Sequence, residues 1–266
     1  MREARTVSHS SDVALAVASA SGKIGRRDAG AAADAPTLRD LALFAHVDEP
    51  TLRRLAVDAK VETYSDSAVI FRQGDPVASV VIVLSGHVKL LRTAPNGDET
   101  LVGIRGKGEN VGDAPALGGE TYGVSAEAVG AVSVVKLPAG RFARLLRESP
   151  ALCAAMMQDA RDKIGALISE IESLKALNAD QRLARFILGL CPPGEDQCRF
   201  RLPYDKRLIA QQLGVKQETL SRAFAKLRDY GVRTETRDVR VESVSRLLAQ
   251  CDDIGRGTRT AGGEPR

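Results

Sequence analysis

LIAQQLGVKQETLSRAFAKL, Leu208 to Leu227, decides the fold. Its spacing is that of two helices joined by a tight turn. Gly214 falls where the turn needs a residue tolerant of positive φ. Ala210, four residues earlier, is small enough to let a second helix approach. Ile209, Leu213, Val215 and Leu220 supply apolar contacts between the helices. Leu220, Ala223, Phe224 and Leu227 form an i, i+3, i+4, i+7 stripe, so that face of the second helix is expected to be buried. Gln217, Glu218, Ser221, Arg222 and Ala225 fall on the opposite face. Such a mixture of donors and acceptors suits the base edges of the DNA major groove. An ordinary amphipathic hairpin with a solvated outer face would show the same stripe.

Downstream, Gly231 is placed to end the second helix. Val232 to Val241 reads as two short strands forming a wing, and Ser243 to Gln250 as one more small helix. Upstream, Asn178 marks a stop or hinge, and helix resumes from Ala179 to about Cys191. Before it lies a long helix opened by Pro150. Met157, Ala160, Ile164, Leu167, Ile171 and Leu174 recur at spacings of 3, 4, 3, 4 and 3. That is a heptad seam flanked by charges, which points to a two-helix coiled coil and a dimer. The competing reading packs the seam on the chain's own barrel.

Between Val61 and Leu137 the period falls to two. AVIF, VVIVLSGHVKLLRT, ETLVGIRGKGENVG and GVSAEAVGAVSVVKL read as strands, punctuated by Gly74-Asp75-Pro76, Ser85-Gly86, Asn96-Gly97 and Gly106-Lys107-Gly108. Asn96-Gly97 predicts a type I′ hairpin turn. Many short strands with glycine turns predict a β-roll or jelly-roll whose interior can take a small ligand. Two short helices precede it, with Leu38, Leu41 and Phe44 on one face and Leu52, Leu55 and Ala56 on another. A third follows at residues 138–149.

The fold class is therefore α+β. The expected domains are a disordered arm (1–36), a sensory β-roll (37–150), a dimerisation helix (151–178), a winged helix-turn-helix (179–250) and a flexible tail (251–266). The chain has 266 residues and a net charge of +4, a mildly basic balance that permits nucleic acid without demanding it. Tryptophan is absent and aromatics are 4% of residues, which argues against single-strand binding by base stacking. Cys153, Cys191, Cys198 and Cys251 are scattered, with no close-spaced zinc or redox motif and no sign of a disulfide framework. No apolar run is long enough to span a membrane. A cytoplasmic protein is expected. No nucleophile–base pair, metal-spaced cluster or phosphate-cradling loop is present, so no catalytic or metal-binding residues are assigned and an enzyme is not expected.

The order of roll, heptad helix and winged helix-turn-helix resembles the CRP/FNR superfamily of bacterial transcription regulators. VIFRQGDPVASVVIVLSGHVKLLRTAPNGDETLV is similar to the family's opening strands, and IAQQLGVKQETLSRAFAKLRDYGV to its recognition motif. The E-T-x-S-R element, with SEIESLKALNADQRLARFIL, is similar to the Dnr branch of nitric-oxide-responsive denitrification regulators. The resemblance implies a homodimeric regulator, an activator touching RNA polymerase, on palindromic double-stranded DNA with TTGAT-like half-sites. It implies that Glu218, Ser221 and Arg222 read bases, with Gln217 as a lesser reader. Glu218 suits a cytosine amino group and Arg222 a bidentate contact with guanine. Lys216, Lys226 and Arg228 are expected on phosphates. The recognition helix has no Ser, Thr or Asp at its N-cap, a departure from good capping.

The resemblance also frames the signal, with nitric oxide or redox state as its options. Cyclic-nucleotide members carry a Gly-Glu pair and an Arg followed by Ser or Thr. Here Asp113 stands for the Glu and Tyr122-Gly123 for the Arg and Ser. Without that arginine a buried cyclic phosphate lacks its charge partner, which disfavours cyclic AMP. The absence of any cysteine before Cys153 removes the N-terminal thiolates of the iron–sulfur members. Haem remains, with His46 and His87 as candidate axial ligands and His9 in the arm. An effector-independent regulator controlled by its abundance is an alternative, as is a ligand-sensing barrel whose helix-turn-helix binds protein.

Overall fold

The computed structural model describes residues 27–111 and 120–249. Strand β4 (Ser79–Thr93) organises the N-terminal half. Its Val80 and Ile82 side chains enter one core, and Val81 and Val83 the other. The two-residue period thus buries both faces of the strand. Strands β1 (Arg27–Ala32), β2 (Lys60–Tyr64), β7 (Ser125–Pro138), β4 and β5 (Glu99–Arg105) run in that order in one antiparallel sheet. Strand β3 (Val69–Phe71) pairs with β7, and β6 (Asn110–Val111) with β4. The sheet curls into a roll filled by Val88, Leu90, Ala126, Val132, Val134 and Tyr122.

Its outer face is covered by helices α1 (Ala35–Arg39), α2 (Glu49–Ala56), α3 (Ala139–Glu148) and the start of α4 (Pro150–Ala176). Leu38, Phe44, Leu52, Leu55, Phe142, Leu145 and Leu152 pack there against Ile82 and Val135. Capping fixes the helix starts. Asp34 and Asp48 accept the backbone N–H groups of Thr37 and Thr51, each at 2.9 Å.

Several expectations meet a different outcome. The arm read as disordered to residue 36 ends in ordered structure, since β1 pairs with β2 and Asp34 caps α1. Composition does not register a free sheet edge able to recruit the backbone of a short alanine-rich segment. Residues 1–26 and the tail from residue 250, including His9, lie outside the described residues. Ser85-Gly86 is no chain reversal. Strand β4 runs through it with a shift of register against β7. Gly86 has φ +80°, and a Cβ there would lie 2.3 Å from the Ala131 carbonyl oxygen. The 94–97 turn is not type I′ either. Among the described residues Gly97 takes positive φ and Asn96 does not, because Pro95 at the second position holds φ negative and favours a type I turn followed by a left-handed residue.

The C-terminal half is built on a third core. Helix α5 (Ala179–Leu188) starts at a capping box between Asn178 and Gln181. Strands β8 (Cys198–Arg201), β10 (Asp238–Val241) and β9 (Val232–Glu235) form an antiparallel sheet in that spatial order. The expected two-stranded wing therefore gains a third strand. Helices α6 (Lys206–Gln212) and α7 (Gln217–Leu227) follow β8, and α8 covers residues 244–249. Cys191 and Cys198 are bonded to each other, contrary to the reading of four scattered cysteines. The seven-residue spacing hides a reversal of the chain that brings them together.

This half sits against the roll. Leu101, Ile104 and Val129 pack on its core. The His87 ring meets the Tyr204 ring edge-on, with centroids 5.5 Å apart. The Tyr204 hydroxyl donates to Gln212, and burial pushes its pKa up to about 12. Burial also lowers the pKa of His87 below its ordinary 6.5, with Arg237 acting in the same direction and Glu109 against it. An undocked His87 therefore takes up a proton before a docked one does. The stability of docking is full above the ordinary pKa and is lost as the pH falls through it. Protection factors across β5 and α6, corrected for the intrinsic exchange rate, should fall as the pH drops below about 6.5, and His87→Gln should flatten that dependence. An unchanged profile in the variant would show that His87 is not its origin.

Candidate nucleic-acid interface

The Asp205 carboxylate caps α6 by accepting the Leu208 N–H at 2.7 Å. The helix ends at Leu213, and Gly214 turns the chain with φ +63°. The Val215 N–H then donates back to the Ala210 carbonyl at 2.9 Å, closing the turn. Helix α7 buries Leu220, Ala223, Phe224 and Leu227 against Leu183, Ala184 and Ile187 of α5. The buried stripe is the one the spacing predicts.

Gln217, Glu218, Ser221 and Arg222 are all exposed on the opposite face. Arg222 reaches the Thr219 hydroxyl at 3.4 Å and is otherwise open. Lys216 takes the N-cap position with no side-chain cap, so the first N–H groups of α7 stay available. The three expected phosphate residues separate. Lys216 and Arg228 are exposed, whereas Lys226 turns back to α5 and pairs with Asp180 at 2.6 Å. That carboxylate raises the pKa of the lysine.

Sequence reasoning missed the wing arginines. Arg199 stands opposite Arg240 across β8 and β10, and Arg240 opposite Arg233 across β10 and β9. All three are exposed, and with Arg228 they line a hollow of about 440 Å³ that Glu235, Asp238 and Glu242 also edge. Like charges in direct cross-strand register repel unless an anion lies over them. Arg233 has a carboxylate partner in Glu242 at 3.5 Å. No ion pair of Arg199, Arg240 or Arg228 is found among the described residues. The alternation in DVRV and CRFR carried the signal, but the row exists only once β8 joins the sheet.

Along α4 the expected seam is open. Met157 is 70% exposed, Ile164 58%, Leu167 51%, Ile171 51% and Leu174 45%. Ala160 is exposed between them. The seam does not pack on its own roll, apart from the contact of Leu174 with the helix-turn-helix, where it lies 3.3 Å from the Cβ position of Gly214.

The sensory candidates lie apart. Asp113 lies outside the described residues. Tyr122 is 3% exposed, stacks on Phe71 with ring centroids 3.9 Å apart, and donates to the Ser79 carbonyl at 2.7 Å. The residue that the resemblance sets in place of the phosphate-binding arginine is thus part of the core. His87 is walled by Tyr204, Glu109 and Gly106. His46 is exposed beside a groove of about 800 Å³, with Ala42, Leu43, Ala151 and Ala155 on its apolar side and the carboxylates of Glu109, Asp159 and Asp162 on its polar side. His87 does not line that groove.

The cyclic nucleotide-binding domain family matches residues 61–149, and the Crp-like helix-turn-helix domain family matches residues 181–250. The transcriptional activator protein anr of Pseudomonas aeruginosa is 32% identical over 185 residues, which cover 68% of this chain and 75% of that protein. The nitrogen fixation regulation protein FixK of Bradyrhizobium diazoefficiens is 30% identical over 173 residues, covering 63% and 71%. A crystal structure of a protein from Ruegeria pomeroyi superposes with a TM-score of 0.62 at 33% identity, covering 82% of this chain and 97% of that one. FixK2 of Bradyrhizobium japonicum shares the fold with a TM-score of 0.63 at 21% identity, covering 72% and 96%.

The chain belongs to the CRP/FNR family of transcription regulators. It is a DNA-binding regulator of a family that is not enzymatic.

The turn supplies a direct test. An alanine at position 214 would have to hold φ +63°, which costs about 1–2 kcal/mol. Gly214→Ala should lower the melting temperature of the DNA-binding domain by several degrees and weaken DNA binding in parallel. An unchanged melting curve would show that the turn tolerates a Cβ.

Proposed function

We propose that this protein is a homodimeric transcription activator that binds a palindromic, FNR-like DNA site. The observation that carries this reading is the open seam of α4. Six residues at heptad spacing leave an apolar stripe in water on a helix that is otherwise well formed. A second copy of the same helix buries it with matched geometry. Two recognition helices then enter successive major grooves, setting half-sites about 10–11 base pairs apart. Glu218, Ser221 and Arg222 read bases with Gln217 beside them. Lys216, Arg228 and the free N–H groups of α7 hold phosphates. Lys226 contributes less than its charge implies, because Asp180 occupies it. RNA polymerase is the protein partner of an activator of this kind.

Two measurements test the reading. Sedimentation should give about twice the 28.4 kDa of the chain. Ile164→Asp with Leu167→Asp should return the protein to single chains and abolish binding to the full palindrome. A wild-type monomer would end the proposal. Arg222→Ala should cost about 1–3 kcal/mol and relax preference at one base pair of each half-site. Equal loss on unrelated DNA would make Arg222 a phosphate contact instead. A salt-independent affinity would favour a helix-turn-helix that binds protein.

The buried Tyr122 supports a roll that takes no cyclic nucleotide, and leaves regulation by abundance as one option. The groove beside His46 favours a second reading, a haem-borne response to nitric oxide. His46 would hold the iron and Ala42, Leu43, Ala151 and Ala155 would face the macrocycle, while Glu109, Asp159 and Asp162 in the same groove would repel its propionates. The iron supplies the atom that binds nitric oxide. A Soret band at one haem per chain, lost in His46→Ala, is the expected result. No band on haem addition would return weight to effector-independent control.

A further inference from the structure

The loop between α5 and β8 begins and ends in cysteine, CPPGEDQC, Cys191 to Cys198. The two Cα atoms are 5.7 Å apart and the sulfurs are bonded. That separation is ordinary for a bridge. Neither residue is at an idle position. Cys198 opens β8 opposite Val241 and is 5% exposed, in one core with Leu183, Ile187, Leu220 and Phe224. Cys191 follows the end of α5 and is only partly buried. The bridge thus ties the helix beneath the recognition helix to the sheet of the wing.

A second device holds the same loop. The Asp196 carboxylate accepts the Ser245 N–H at 2.8 Å, and its carbonyl accepts the Val244 N–H at 2.6 Å. This anchor does not involve the sulfurs. It ties Asp196, which lies between the two cysteines, to the start of α8, and so would keep the cysteines near each other with the bridge open. Close approach that outlasts reduction is what a reversible pair needs, and a purely structural bridge does not require it.

We infer that Cys191 and Cys198 form a reversible thiol–disulfide couple that sets the rigidity of the DNA-binding domain according to the small-molecule disulfide pool. The Cys191 thiolate, the more accessible of the two, attacks one sulfur of a low-molecular-weight disulfide such as oxidised glutathione and expels one thiolate. The Cys198 thiolate then attacks the Cys191 sulfur of the mixed disulfide and expels the other. The two protein thiols lose two protons and two electrons. The small disulfide gains them and leaves as two thiols. Excess thiol runs the sequence backwards. The closed form restricts the unfolded chain and so resists local opening between α5 and β8.

The full chain should be equilibrated across graded ratios of oxidised to reduced glutathione, quenched by alkylation and mapped by mass spectrometry. Cys191 and Cys198 should leave the alkylated pool together in one two-electron transition. Cys153, which has no sulfur partner among the described residues, should stay alkylated throughout. The closed form should melt about 5–10 °C above the open one. Cys191→Ser should remove the transition while keeping the circular dichroism of the fold, and Cys198→Ser provides the same test from the other sulfur. Both cysteines alkylated at every ratio would overturn the inference. So would pairing with Cys153 or Cys251, or equal melting of the two forms.

Discussion

The polar face of α7 points outward because its apolar face has somewhere to go. Leu220, Ala223, Phe224 and Leu227 are all buried, and Leu183, Ala184 and Ile187 of α5 lie beneath them. Burying four such side chains outweighs any single hydrogen bond in this half of the molecule. The missing N-cap at Lys216 is therefore tolerable. A helix held from below does not need its first turn sealed, and an unsealed first turn is the end that an anion can approach. The same packing explains why Lys226 turns away. Its place on α7 is beside Asp180 at the start of α5.

The two halves are also joined. Leu101, Ile104 and Val129 of the roll lie on the DNA-binding half, and Leu174 of the long helix touches its turn. His87 and Tyr204 meet across that junction. The roll and α6 are thus held together by packed side chains, and only the turn at Gly214 separates α6 from α7.

Much of this architecture was legible from the residues. Periods of 3.6 and 2 marked helices and strands, and the heptad marked α4, because each reports which face must leave water. The α7 stripe follows from four side chains. What stayed hidden was mostly nonlocal. Strand β1 exists because β2 offers an edge. The arginine row exists because β8 joins the wing sheet. The Cys191–Cys198 pair exists because a loop reverses. Pro95 is a different case. Its effect on the turn was local and readable, and the Asn96-Gly97 pair alone pointed to the wrong turn type. Of the candidate site, the exposed face of α7 was legible in full. The commitment of Lys226 to Asp180 was not, since it depends on how two helices cross.

The uncovered stripe on α4 has a numerical corollary. When a working unit needs two chains that meet by mass action, scarce chains are mostly single, and the amount of active unit rises with the square of the supply. Doubling synthesis then quadruples occupancy of a promoter that is far from saturation, and halving it silences the promoter more sharply than dilution alone. Such a dose response needs no small molecule to sense.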